Sequence, residues 1–186
     1  MRIERSWAMP SHKTFQIKPI RELLDIYVPS SGKGWIDPFA RDSSVAEHTN
    51  DINPDTKAKH HLDALEFLKM FDDNSVEGVL YDPPYSLRQI KECYNGLGKS
   101  LTQHETQYFF SDIKKEIERI VKPTGIVISF GWNSGGIGKT LGFTMHHVLL
   151  VAHGGIHNDT IITVETKGEG RAFNSSKQFT LFEVNK

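Results

Sequence analysis

Apolar and polar positions along the chain predict two helices and two buried strands most clearly. Apolar runs at residues 76–80 and 125–130 indicate buried strands. Residues 17–27 and 109–121 carry apolar side chains at helical spacing. The apolar stripe of the second helix, which starts at Phe109, is expected to face the core only.

The segments between these elements are assigned from their composition. Residues 2–18 are polar and basic, which predicts an N-terminal arm, and the polar stretch 86–107 predicts a long irregular loop. The Gly-rich segment 131–140 lacks the first glycine and the following helix of a phosphate-binding loop, so it predicts a flexible loop at the sheet edge. The remaining predicted elements are a short strand at 60–62, a helix at 63–71 and a hairpin of strands at 144–151 and 159–165.

Length and composition restrict the class of protein. The chain has 186 residues, which predicts one domain over residues 1–166 and a polar tail over residues 167–186. With a formal net charge of −1, contacts to nucleic acid would require local basic patches. No apolar run reaches the roughly 20 residues of a membrane span, and no signal peptide is recognisable. The single cysteine, Cys93, favours a reducing cytoplasm, and the nine histidines lack zinc spacing, so no metal site is predicted.

A rigid turn, Asp82-Pro83-Pro84-Tyr85, directly follows the strand at residues 76–80. Prolines lack an N–H and fix φ, so the strand ends there and leaves the Asp82 carboxylate and the Pro83 carbonyl at the sheet edge. Ligands of open α/β sheets bind at the carboxyl ends of the strands. The two acceptors suit a planar ligand with an exocyclic amino group, and Tyr85 suits stacking on its ring. A plain proline-rich turn with an exposed acid is the alternative.

These four residues resemble the catalytic motif of the amino-group DNA methyltransferases, which methylate N6 of adenine or N4 of cytosine with S-adenosylmethionine. The resemblance implies catalytic roles for Asp82, Pro83, Pro84 and Tyr85. It also implies an α/β, Rossmann-like methyltransferase fold, with a seven-stranded, mostly parallel sheet, one antiparallel strand and helices on both faces. Asp as the first motif residue favours adenine as the target.

The same resemblance assigns S-adenosylmethionine to residues that mostly precede this turn. Asp37, Pro38 and Phe39 match an Asp-x-Phe-x-Gly-x-Gly turn, whereas Arg41 and Ser43 stand where glycines usually do. Glycines permit close backbone approach, so we expect the backbone to pass differently or the cofactor to sit slightly displaced. The implied cofactor-binding residues are Phe15, Lys18, Asp37, Pro38, Phe39, Ala40, Ser43, Asp51, Ile52, Asp63 and Ala64.

Two acids of this set also have structural interpretations. Asp51 is implied to hold the ribose, although it follows Asp37 by about 14 residues rather than about 20. It can equally cap an Asp-Ile-Asn-Pro turn. Asp63 is implied to bond the cofactor adenine, and its spacing to Glu66 also predicts a helix N-cap.

Double-stranded DNA is the implied partner. The stretch 86–107 interleaves basic and aromatic side chains, which suits a DNA-contacting lid, with a solvated surface loop as the alternative. The Gly-rich segment 131–140 is also expected to face DNA. The candidate DNA contacts are Arg88, Lys91, Tyr94 and Lys99.

Near the C-terminus, Gln178, Leu181 and Phe182 belong to a pentapeptide that resembles the sliding-clamp docking peptide of bacterial proteins. A last strand, or a tail folded onto the core, is the alternative interpretation. A separate target-recognition domain is not recognisable, so we expect a short or loosely read site, or help from a second subunit in a homodimer.

Seen together, the motifs over roughly residues 15–165 look like a small amino-DNA methyltransferase of phage or bacterial type. The expected reaction is methyl transfer to N6 of a flipped-out adenine. Two alternatives stay open. One is a methyltransferase acting on RNA or protein amides. The other is a non-catalytic DNA- or clamp-binding protein, which the replacements Arg41 and Ser43 suggest.

Overall fold

A computed structural model of the chain describes residues 1–155 and 157–168. These residues form one seven-stranded sheet with the order β1-β6-β7-β5-β4-β2-β3. The strands are β1 (Arg2–Trp7), β2 (Trp35–Asp37), β3 (His48–Thr49), β4 (Val76–Tyr81), β5 (Val121–Gly131), β6 (Phe143–Ala152) and β7 (Thr160–Lys167). Only β7 runs antiparallel to its neighbours, β5 and β6, among the strands described. The predicted sheet with one reversed strand, and the predicted hairpin, are therefore confirmed.

Helices cover both faces of this sheet. They are α1 (Lys18–Tyr27), α2 (Ala64–Leu68), α3 (Leu87–Gly96) and α4 (Gln103–Ile120). On one face, α1 buries Ile20, Leu23 and Leu24 against β4, β5, β6 and β7. On the other face, α2 and α4 bury a second apolar cluster that includes Phe67 and Ile117. No helix of the described residues is long and apolar enough to cross a membrane.

The predicted N-terminal arm is wrong for its first part, because residues 2–7 form β1. This strand pairs in parallel with β6, from Arg2 opposite His147 to Trp7 opposite Ala152. Polar composition misled the prediction because an edge strand with one solvated face tolerates charged side chains. The predicted strand at 60–62 is reduced to a single bridge between Asn50 and His60.

The long loop predicted at residues 86–107 is also wrong. Ser86 caps α3 by accepting a hydrogen bond from the N–H of Gln89 at 3.2 Å, and the helix buries Ile90 and Tyr94. A reciprocal capping box between Thr102 and Glu105 starts α4 six residues before the predicted position. The predicted DNA-contacting residues therefore lie on and after a helix that packs on the domain.

Truncation of Ile90, which is fully buried, tests this reassignment. Ile90→Ala is expected to lower the free energy of unfolding by about 2–5 kcal/mol, because a cavity opens under α3. The matched control Lys91→Ala, on the exposed side of the same helix, is expected to stay within about 0.5 kcal/mol. Urea unfolding of both variants measures the difference. Equal, small effects would restore the interpretation of this segment as a loop.

Candidate active site

A cleft of about 990 Å³ opens where β2, β3 and β4 end. All four residues of the turn after β4 line it, together with residues that follow β2 and β3. Its volume lies at the upper end of the roughly 300–1,000 Å³ of ligand pockets. The parallel pairing of these three strands therefore gathers three separate sequence segments at one opening.

The turn after β4 is braced by its own side chains. β4 ends at Tyr81, directly before Asp82 and the two prolines. The Tyr85 hydroxyl donates a hydrogen bond to Asp82 Oδ1 at 2.6 Å, and the Tyr85 N–H donates to Gln89 Oε1 at 2.7 Å. The Asp82 carboxylate is thus held at the cleft with one oxygen already accepting a hydroxyl proton.

The environment of Asp82 favours its neutral form more than water does. Burial raises the pKa of Asp82 above its ordinary value, while hydrogen bonds from Tyr85 and Thr14 and the charge of Arg41 oppose that rise. Burial, and then the neighbouring Asp82, raise the pKa of Tyr85. Tyr85 is therefore the donor of this pair, and Asp82 is a better proton acceptor than an exposed aspartate.

Asp37 lies fully buried at the end of β2. Its Oδ1 accepts the N–H of Phe39 at 3.0 Å, whereas Oδ2 has no hydrogen-bond partner within the described residues. Burial raises the pKa of Asp37 well above its ordinary value, and the charges of Asp82 and Asp51 add to the rise. A buried carboxyl oxygen without a partner, next to Pro38 in the cleft wall, is a position for an ordered water or a bound group.

Asn50, which the sequence did not single out, ties the turn after β2 to the neighbouring segments. Its side-chain amide donates to the carbonyls of Pro38 and Leu62 at 3.2 and 3.0 Å, and its Oδ1 accepts the N–H of Leu62 at 2.9 Å. The residue is fully buried. A lone asparagine carries no motif, so only a buried position could have indicated its role.

Arg41, in a position where the resemblance leads us to expect glycine, adopts a φ of 51°, the left-handed conformation that favours glycine. Asp51 stabilises this turn, because its Oδ2 accepts the Arg41 N–H at 3.1 Å and its Oδ1 accepts the Asn53 N–H at 2.9 Å. The capping interpretation of Asp51 therefore holds. Each carboxylate oxygen keeps capacity for a further hydrogen bond.

The residues implied to bind a cofactor fall into two groups. Those that line the cleft are Pro38, Phe39, Asp51, Ile52 and Ala64. Those that do not are Phe15, Lys18, Asp37, Ala40, Ser43 and Asp63. Within the second group, Phe15 packs on Phe130 with ring centroids 5.0 Å apart, and Lys18 is exposed beside Glu22. His12 and Thr14, which the sequence did not single out, reach the cleft from that segment instead.

Asp63 lies beside a second cavity of about 610 Å³. It caps α2 by accepting the N–H of Leu65 at 2.9 Å, as predicted, and its other oxygen accepts the hydroxyl of Tyr94. Ile52, Tyr94 and Phe109 line both cavities. The expectation that Phe109 serves the core only is therefore wrong, because this half-buried residue packs against the core and also lines both cavities.

The four residues predicted to contact DNA lie in different environments. On α3, Arg88 pairs with Glu92 at 2.9 Å and is exposed, as is Lys91. Lys99 lines the second cavity, and Tyr94 is buried against Asp63 rather than presented to solvent. The predicted clamp-docking peptide, residues 178–182, lies outside the described residues.

Part of the chain is similar in sequence to a curated methyltransferase. Over 70 residues the chain is 37% identical to the Type II methyltransferase M.PvuII of Proteus hauseri, a stretch that covers 37% of this chain and 19% of that protein. No protein-family model matches. The chain thus aligns with about a fifth of the length of this curated relative.

Two solved structures share the architecture. TrmN from Thermus thermophilus superimposes with a TM-score of 0.53 and 17% identity over 82% of this chain and 49% of that chain. PH0851 gives a TM-score of 0.50 and 12% identity over 78% and 44%. Together with the strand order, these likenesses confirm the predicted fold class, the Rossmann-like fold of S-adenosylmethionine-dependent methyltransferases.

The buried Asp37 carboxyl makes stability depend on pH. Because its folded-state pKa is raised, its contribution is present below the unfolded pKa of about 4 and is lost as pH rises through the raised value. Asp37→Asn is expected to reduce the fall in unfolding free energy between about pH 4 and pH 8. Urea unfolding at both pH values, with exposed Asp25→Asn as the control, measures it. Parallel pH curves for Asp37→Asn and the wild type would refute the assignment.

Proposed function

We propose that this protein transfers a methyl group from S-adenosylmethionine to N6 of an adenine flipped out of double-stranded DNA. The observation that carries the proposal is the shared cleft. The Asp82-Pro83-Pro84-Tyr85 turn and the segments after β2 and β3 line one opening at the carboxyl edge of a methyltransferase-type sheet. The partial likeness to a Type II methyltransferase supports methyl transfer as the reaction.

The residues present are compatible with the cofactor. Pro38, Phe39 and Ile52 give apolar walls, and Asp51 keeps acceptor capacity for ribose hydroxyls. The orphaned Oδ2 of Asp37 is an acceptor that a bound amino group or an ordered water would satisfy. When bound, S-adenosylmethionine supplies an electrophilic methyl carbon on a positively charged sulfur, which departs as a neutral thioether.

The turn orients the target amino group. Asp82 and the Pro83 carbonyl accept the two hydrogens of N6, so that its lone pair is directed out of the turn. As the new N–C bond forms, N6 loses a proton, which Asp82 is suited to accept because burial raises its pKa. The base amino group competes with the Tyr85 hydroxyl for Asp82 Oδ1, and the Tyr85 ring supplies a stacking surface. Catalysis is then mainly orientation and charge placement.

Removal of the Asp82 carboxylate tests the role of the turn. Asp82→Ala is expected to lower transfer of labelled methyl groups to DNA by about 10²–10³-fold, since an oriented acceptor is lost. Calorimetry is expected to give unchanged S-adenosylmethionine affinity. Asp72→Ala, an exposed acid before the opposite end of β4, serves as the control. Undiminished transfer by Asp82→Ala would refute the catalytic role.

The same assay separates the alternatives. Purified protein is incubated with labelled S-adenosylmethionine and with DNA, RNA or a host protein extract. Label in DNA as N6-methyladenine supports the proposal. Label confined to RNA or protein would replace the substrate, and absence of both transfer and cofactor binding would leave the non-catalytic alternative.

Tyr85→Phe keeps the ring but removes the hydroxyl that bonds Asp82. That hydrogen bond lowers the Asp82 pKa, so its loss raises the pKa further. Because Asp82 must be deprotonated to accept the N6 proton, the acidic limb of kcat/KM for DNA is expected to shift to higher pH. A pH profile of both proteins measures the shift. An unmoved acidic limb would contradict the assignment of Asp82 as proton acceptor.

A further inference from the structure

Trp132 stands next to the proposed catalytic turn, although no motif indicates it. The residue directly follows the end of β5 and is 42% exposed. The Tyr85 ring lies edge-on to it, with ring centroids 5.4 Å apart and an interplanar angle of 71°. An exposed tryptophan keeps a large apolar surface in water, which a ligand is able to cover.

The sheet register explains why these two aromatic residues meet. Tyr81 of β4 is paired with Ser129 of β5, so the segments that follow these two strands leave the sheet side by side. Trp132 does not line the cleft itself. Its ring therefore lies outside the opening, on the far side of Tyr85 from the residues after β2 and β3.

The segment after Trp132 is attached to the rest of the domain at residues 136–138. Buried Glu165 accepts the N–H groups of Ile137 and Gly138 at 2.6 and 3.1 Å. Lys114 donates to the Gly136 carbonyl and its charge faces Glu165. The Gly-rich segment is thus tied to β7 and α4 within six residues of Trp132.

We propose that Trp132 stacks on a base that neighbours the flipped target in the same strand. This inference rests on the proposed function and narrows it to a nucleic-acid strand, because a protein amide offers no second aromatic ring at that place. Flipping leaves the neighbouring base with one face unstacked, and an indole beside Tyr85 is positioned to cover that face. Base–aromatic stacking tolerates any sequence, in keeping with a loosely read site.

Tryptophan fluorescence tests the contact without relying on activity. A short single-stranded DNA that contains adenine is titrated into the full-length protein. Quenching is expected in the wild type, to be lost in Trp132→Phe and to be kept in Trp7→Phe, a second exposed tryptophan three strands away on β1. Quenching that survives in Trp132→Phe, or disappears in Trp7→Phe, would overturn the inference.

Kinetics give a second, independent readout. Trp132→Ala is expected to raise KM for DNA by about 5- to 150-fold, the range that loss of one stacked base produces, with kcat and cofactor affinity little changed. Normal KM in Trp132→Ala overturns the stacking role while the proposed function stands. Label confined to protein in the wild type overturns both. Label confined to RNA, with the same dependence on Trp132, keeps the stacking role and replaces DNA as the substrate.

Discussion

Two consecutive prolines determine where β4 stops, and the arrangement of the candidate site depends on that stop. A strand that continued past Tyr81 would pair its backbone with β5 and point alternate side chains to opposite faces. The prolines prevent this, so Asp82 and the Pro83 carbonyl remain at the edge of the sheet beside the turns after β2 and β3. The cleft thus depends on where β4 ends as much as on the chemistry of the side chains around it.

The sequence was sufficient for the elements with strong periodicity. The apolar run of β4, the amphipathic pattern of α1 and the hairpin of β6 and β7 were all predicted, because burial of one face forces a regular pattern. β1 and α3 were missed for the opposite reason. Each buries little apolar surface. In α3 the buried residues are only Ile90 and Tyr94, which stand among polar neighbours.

For the candidate site, the sequence indicated the motif residues that line the cleft. It did not indicate the residues whose hydrogen bonds hold the surrounding segments in place. Asn50 acts through the backbone of Leu62, and Glu165 acts through a loop that precedes it by 27 residues. Such contacts connect segments that have no local pattern in common. Arg41 illustrates a different limit, because its left-handed backbone is stabilised by Asp51, ten residues away, rather than by its own side chain.

Helix α3 is attached to the site at both of its ends. Near its start, the Gln89 side chain accepts the N–H of Tyr85, and near its finish the Tyr94 hydroxyl binds Asp63 at the first turn of α2. The helix therefore connects the turn after β4 to the neighbouring cavity. A ligand whose amino group displaced the Tyr94 hydroxyl from Asp63 would remove one of these two attachments and leave the other in place. Occupancy of the second cavity would then affect how firmly α3 holds the turn after β4.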